Sequence, residues 1–217
     1  MSPGPSEILA DPTLLLHRVD PARRRLLFRR TTAEAVRDSA FIDGRTDIWV
    51  GEPAELPFSA ALELKPAPEP NRYVFHMSFS GSTLLARLID RPGKALSLRE
   101  PNCLVDLADW RSALAASGSA DADFDPMLRF ARAMIGRPWA GGEAVLIKPS
   151  SWVNNLIGDL TQPGLRAMFV TIARDEFLEA VLRGGRDRLA FTARLAAHLS
   201  PFVERGPDRL QAWPLHE

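Results

Sequence analysis

Four small residues, Ser80-Gly81-Ser82-Thr83, stand where an apolar run, Arg72-Tyr-Val-Phe-His-Met77, gives way to Leu84-Leu85 and a helical pattern. A strand that ends in a short polar loop and re-enters a helix aims free backbone N–H groups at one point, an arrangement suited to an anion. Gly81 lets backbone come close to a phosphate, and the Ser82 and Thr83 hydroxyls add donors in the first helical turn. The same residues are what a helix N-cap and a turn require, and spacing does not separate the two readings. The general phosphate-loop pattern, glycine, four residues, then Gly-Lys-Ser/Thr, is met only in part. His76 stands in place of the first glycine and Ser82 in place of the lysine. Kinase or ATPase chemistry therefore lacks the cation it places on the transferring phosphate.

Other constellations carry less. The histidines, His17, His76, His198 and His216, include no pair at metal-ligand spacing, and the lone Cys103 offers neither a zinc site nor an internal disulfide. His76 enters the loop, where it can touch an anion or be a hydrogen-bonded core residue. No Gly-x-Ser-x-Gly elbow surrounds Ser78, Ser80 or Ser82, which argues against a serine hydrolase. Tryptophans 49, 110, 139, 152 and 213 are dispersed and read as core or subunit contacts.

The elements that must position the loop alternate between strand and helix. Ala95–Leu98, Ala144–Ile147 and Arg166–Ile172 are further short apolar runs. Ser82–Asp90 places Leu84, Leu85, Leu88 and Ile89 on one helical face. Asp125-Pro126 opens a helix through Ile135, Ser150 or Ser151 can cap one running to Leu160, and Glu176–Leu182 is helical. Alternation of this kind predicts an α/β fold, a three-layer P-loop arrangement with a parallel sheet of four to five strands between helices. Lys148 then falls at the carboxyl end of a strand, where ligands bind in open α/β sheets. Lys65-Pro-Ala-Pro-Glu-Pro70 reads as a linker (65–70) between an N-terminal appendage (1–64) and the α/β domain (71–217). In the appendage, Leu26-Leu27-Phe28 is a short strand and Thr32–Phe41 a helix capped by Thr31 or Thr32, followed by a turn at Phe41-Ile-Asp-Gly44. No chemistry is legible there, and Arg23–Arg25 with Arg29-Arg30 reads as the solvated face and ends of a strand.

Composition narrows the classes. The chain of 217 residues is 46 % hydrophobic and 25 % charged, with 27 basic and 27 acidic residues. It is globular in type and carries no charge excess that would wrap nucleic acid or tether a membrane. No apolar run approaches the ~20 residues a membrane span needs. Met1–Ala10 lacks the pattern of a secretory leader, and a single cysteine suits a reducing compartment, so the expectation is a cytoplasmic protein.

Ser80-Gly81-Ser82-Thr83-Leu84-Leu85 resembles the 5′-phosphosulfate loop of sulfotransferases that use 3′-phosphoadenosine 5′-phosphosulfate (PAPS), above all the tyrosylprotein and bacterial branch. That branch follows its loop with a helix ending in Leu-Asp and a proline, and here stands Leu88-Ile-Asp-Arg-Pro92. It then has a short strand ending in an acidic pair, and here stands Leu98-Arg-Glu-Pro101. The likeness extends loosely over residues 70–185. It implies a PAPS cosubstrate, no metal, and a small-molecule acceptor as the other partner. By the same resemblance Ser80, Gly81, Ser82 and Thr83 hold the 5′-phosphosulfate. Glu100 takes the proton of the acceptor hydroxyl, Lys148 neutralises the transferring sulfuryl group, and Arg174 grips the 3′-phosphate. Read as residues alone, Glu100 equally suits a helix N-terminus, Lys148 a snorkelling strand end, and Arg174 a pair with Asp175 or Glu176. The chain departs from the pattern at Phe79, where the family has Lys or Arg, and at Leu182, where it has a serine. Leu182 shares an apolar helical face with Phe177, Leu178 and Val181 and reads as core. The family's closing glycine-rich loop has no counterpart, since Arg183-Gly-Gly-Arg186 is too close to Arg174.

Overall fold

In a computed structural model, which describes residues 3–67, 72–139, 142–161 and 165–203, two sheets share one apolar interior. The first is an antiparallel meander of β1 (Leu14–Asp20), β2 (Arg25–Arg30) and β3 (Val50–Pro57). Helix α1 (Pro5–Ala10) precedes it, α2 (Ala33–Asp38) lies between β2 and β3, and α3 (Phe58–Glu63) follows. In β2, Leu26 and Phe28 are wholly buried and their neighbours are not, the period of two that a half-buried strand shows. Thr32 caps α2, its hydroxyl accepting from Ala35 N–H at 3.1 Å. The helix stops at Asp38, short of the expected Phe41, because Arg99 takes up its terminal carbonyls. β3 is an edge strand, which is why it tolerates Pro53.

The second sheet holds β4 (Arg72–His76), β5 (Ala95–Arg99), β6 (Ala144–Lys148) and β7 (Arg166–Val170), all parallel, in the order β5-β6-β4-β7. The fold is thus α/β, with a four-stranded parallel sheet flanked by helices. These are α4 (Ser82–Ile89), α5 (Asn102–Ser117), α6 (Phe124–Ile135), a 3₁₀ turn Ser151–Leu156 continuing into α7 (Ile157–Leu160), α8 (Arg174–Arg183) and α9 (Gly185–Leu199). β4, β5 and β6 are buried along nearly their whole length, as strands covered on both faces are, whereas β7 lies exposed at the rim. After β4 the chain passes β6 to reach the outer β5, and after β6 it passes β4 to reach β7. Two adjacent central strands thus send their connections in opposite directions, and a crevice opens beyond their carboxyl ends.

Helix α5 packs against β1, α6 and the 3₁₀ turn. Its Leu104 and Leu107 belong to one apolar cluster with Leu16, Leu26 and Phe28 of the meander and Leu96, Leu98 and Ile147 of the parallel sheet. Of the linker expected at 65–70, Lys65–Ala67 is irregular, and residues 68–71 lie outside the described residues, as does 204–217 with Trp213 and His216. No helix among the described residues is long and apolar enough to cross a membrane.

Two packing expectations are corrected. α4 does not bury Leu84 and Leu88, which are 65 % and 64 % exposed. It turns Ser82 and Ala86 inward, a small-residue stripe that brings the helix close to the sheet. Leu182 is not core either: it is 66 % exposed, and Val181 is the residue of α8 that is buried. Arg183–Arg186 is a tight junction between α8 and α9 rather than an open loop.

Candidate functional site

The loop after β4 is anchored at its start. Met77 N–H donates to Val170 O at 2.9 Å, and the Ser78 and Ser151 hydroxyls meet at 2.6 Å. Phe79 (φ 67) and Gly81 (φ 77) are both left-handed, while Ser80 between them is not. Such alternation turns successive amides toward one side and forms an anion-binding concavity. α4 then opens at Ser82, and its first bonded amide is that of Leu85, which donates to Gly81 O at 3.2 Å. The amides of Ser82, Thr83 and Leu84 precede any helical acceptor, and no protein group among the described residues takes them up. The Ser80 hydroxyl oxygen is buried without a hydrogen-bond partner.

The floor comes from β5 and β6, whose ends lie side by side with Arg99 paired to Lys148. Glu100 N–H donates to Lys148 O at 2.7 Å, and Glu100 is itself left-handed (φ 59). Lys148 Nζ lies 2.5 Å from Glu100 Oε1, and Arg45 Nη2 lies 3.1 Å from Oε2. Burial draws the Lys148 ammonium below its usual pKa, and the Glu100 carboxylate opposes that shift. His76 closes the floor beside them. Its Nδ1 is 2.9 Å from Met77 O and its Nε2 3.1 Å from Pro149 O. Burial, and then Lys148, lower its pKa, while the two carbonyl contacts oppose that shift. It is thus a hydrogen-bonded histidine, the second of the two roles its sequence position allows, although one edge still lines the cavity.

One wall was invisible in the sequence. Phe41, Asp43 and Arg45, from the segment between α2 and β3, face the loop across the cavity. The fully buried Arg99 holds that segment. Its Nη2 donates to Val36 O (2.5 Å), Arg37 O (3.0 Å) and Ser39 O (2.6 Å), and its Nη1 to Asp90 Oδ2 (2.9 Å). Ile42 N–H donates to Arg99 O at 2.8 Å and Asn102 Nδ2 to Asp43 O at 2.6 Å. Arg45 is thereby laid over the Phe41 ring, 3.9 Å from its centroid, with its other partner Asp43 at 2.6 Å. Only the turn at Phe41–Gly44 hinted at this wall, and a turn carries no sign of what it faces.

Ser80, Gly81, Ser82, Thr83, Glu100 and Lys148 all line one cavity of about 500 Å³, together with the Phe41–Arg45 wall and Phe191 of α9. Comparison with family models, curated proteins and solved structures finds no match to this chain. The chemistry must therefore be read from the groups themselves. Amides at a helix start, the hydroxyls of Ser80, Ser82 and Thr83, a buried lysine and a carboxylate converge on one space, the set that can hold an oxyanion and receive a proton beside it.

Arg174 is not brought to this cavity. It opens α8 at the surface, and its Nε donates to Asp175 Oδ1 at 3.1 Å, the pairing weighed for it in the sequence. Among the described residues no cluster of three or more His, Cys, Asp or Glu is placed to hold a metal ion. Cys103 is buried in α5, and burial pushes its thiol well above the usual range, away from nucleophilic use.

Proposed function

We propose that the cavity binds PAPS through a P-loop-type turn at Ser80–Thr83 and that the chain transfers the sulfuryl group to a hydroxyl or amine acceptor. The observation that carries this reading is the turn itself: unclaimed amides at the start of α4 share a cavity with the buried Lys148. The cavity volume is in the range of small-molecule sites, and it lies where the connections of β4 and β6 diverge.

In this reading the sulfur–oxygen bond to the 5′-phosphate breaks, and its electron pair leaves with adenosine 3′,5′-bisphosphate. The acceptor oxygen or nitrogen forms the new bond to sulfur and gives its proton to Glu100. Amides of the loop and the Lys148 ammonium stand against the charge of the transferring group, so positioning and electrostatics do most of the work. Arg174, offered by resemblance for the 3′-phosphate, lies outside the cavity and is given no part in it.

One observation favours a second reading, nucleotide binding without turnover. Both Glu100 oxygens are already engaged by cations, and an apolar ring occupies position 79. A kinase-like use of ATP is disfavoured by Ser82 in place of lysine.

The test is thermal melting with adenosine 3′,5′-bisphosphate, magnesium ATP and inorganic sulfate. A ligand at ~100 times its Kd adds about 2.7 kcal/mol. Bisphosphate raises the melting temperature of wild type, and the double variant Ser82→Ala, Thr83→Ala keeps its fold but loses the shift. A response to magnesium ATP alone transfers the reading to a kinase-like site. Turnover with PAPS separates enzyme from binding protein, and the absence of any bisphosphate shift would falsify the assignment.

A further inference from the structure

The Lys, Arg, Asp and Glu charges that line the cavity balance. Lys148 and Arg45 face Asp43 and Glu100, two cations against two carboxylates, and these four are paired with one another. A ligand with several negative charges needs a cation whose own charge is not already matched.

One such group, outside the lining itself, touches a residue that lines the cavity. Phe191 of α9 lines the cavity, and its ring packs edge-on to Phe79, with centroids 6.5 Å apart. Arg188 precedes Phe191 by three residues and so shares its helical face. The Arg188 guanidinium carbon lies 4.8 Å from the Phe79 ring centroid, a cation–π distance. The side chain also rests on Gly184, and its Nη1 donates to Ala180 O at 2.7 Å. No carboxylate among the described residues pairs with it. The helices that carry it are lightly held: Val181 is the buried residue of α8, and α9 has none.

We infer that Arg188 is an anion-binding residue of this site, reaching a phosphate or sulfonate oxygen of the ligand from its place over the Phe79 ring. Phe79, one residue before Ser80 in the loop, serves as the platform, and Arg188 supplies the positive charge that the residues lining the cavity do not. The guanidinium fork suits a tetrahedral oxyanion, and a charge-assisted hydrogen bond to the ligand is stronger than the neutral one to Ala180 O. This inference rests on the anionic ligand proposed above.

The experiment is calorimetric titration of adenosine 3′,5′-bisphosphate into wild type, Arg188→Ala, Arg188→Lys and, as a control, Arg186→Ala on the same exposed helix. Arg188→Ala weakens binding about tenfold or more, the scale of one hydrogen bond to a charged group. It also flattens the dependence on salt, which a merely structural role would leave unchanged. Arg188→Lys restores the salt dependence and part of the affinity, and Arg186→Ala matches wild type. Equal affinity and equal salt dependence in wild type and Arg188→Ala overturn this inference while leaving the nucleotide site standing. No binding by wild type overturns both.

Discussion

Lys148 Nζ lies 2.5 Å from Glu100 Oε1, yet the partners sit in different surroundings: the lysine side chain is 1 % exposed, and the carboxylate is 15 % exposed and shared with Arg45. Removing one partner of a buried pair is costly because the other charge stays behind without compensation. Here only the lysine would be left behind almost wholly buried.

The two substitutions should therefore be unequal. Glu100→Gln strands the Lys148 ammonium and costs about 3 kcal/mol or more of stability. Lys148→Met removes the buried charge, leaves Glu100 with Arg45, and costs about 1 kcal/mol or less. Urea unfolding of the two single variants and the double variant measures both values and their coupling. Equal losses from the two single substitutions would contradict the asymmetry.

Gly81 provides a second, independent handle on the loop. It holds φ 77, and a Cβ added there meets nothing within 4 Å. Gly81→Ala therefore costs only the left-handed strain, about 1–2 kcal/mol. Gly118, at the end of α5 with φ 63 and equally open space, is a matched control. Both alanine variants are expected to lose similar stability in thermal melts. Only Gly81→Ala should also weaken bisphosphate binding, because only its amides face the cavity.

The dependence on pH points to a different region. His17 in β1 packs against Trp49, with ring centroids 4.6 Å apart. Burial, and then Arg18 and Arg29, pull its pKa from 6.5 to about 4. As pH falls below 6.5 the unfolded chain gains a proton there that the folded chain refuses until about pH 4. The stability contributed by neutral His17 is thus complete above 6.5 and is lost across that window. His17→Phe keeps a ring against Trp49 and cannot titrate. Its stability relative to wild type should rise between pH 7 and pH 4. His76 and His198, also lowered, remain in both proteins and cancel. A pH-independent difference would place the histidine in solvent.

Local signals made the strands of the parallel sheet and the loop after β4 legible. A short apolar run followed by Gly81 or by a turn declares itself within a few residues, as β4, β5 and β6 do. α5 escapes such reading because its pattern is blurred. Cys103, Leu104, Leu107, Ala108 and Trp110 are buried on one broad side, but Arg111 falls within that arc and Val105 outside it. The buried face of α4 differs from the expected one because two turns offer little periodicity, and contact with the sheet favours Ser82 and Ala86 over larger neighbours. The Phe41–Arg45 wall was beyond reach for another reason. It depends on Arg99 bonding to carbonyls some sixty residues away, with nothing in either segment to name the other.

Leu104 and Leu107 of α5 share one apolar cluster with both sheets, so the meander and the parallel sheet draw on the same interior. Loss of the β1–β3 meander would uncover apolar side chains of the helix that follows Glu100. A molecule seated at the carboxyl edge of the parallel strands is therefore expected to stabilise the meander along with its own site, through the interior they hold in common.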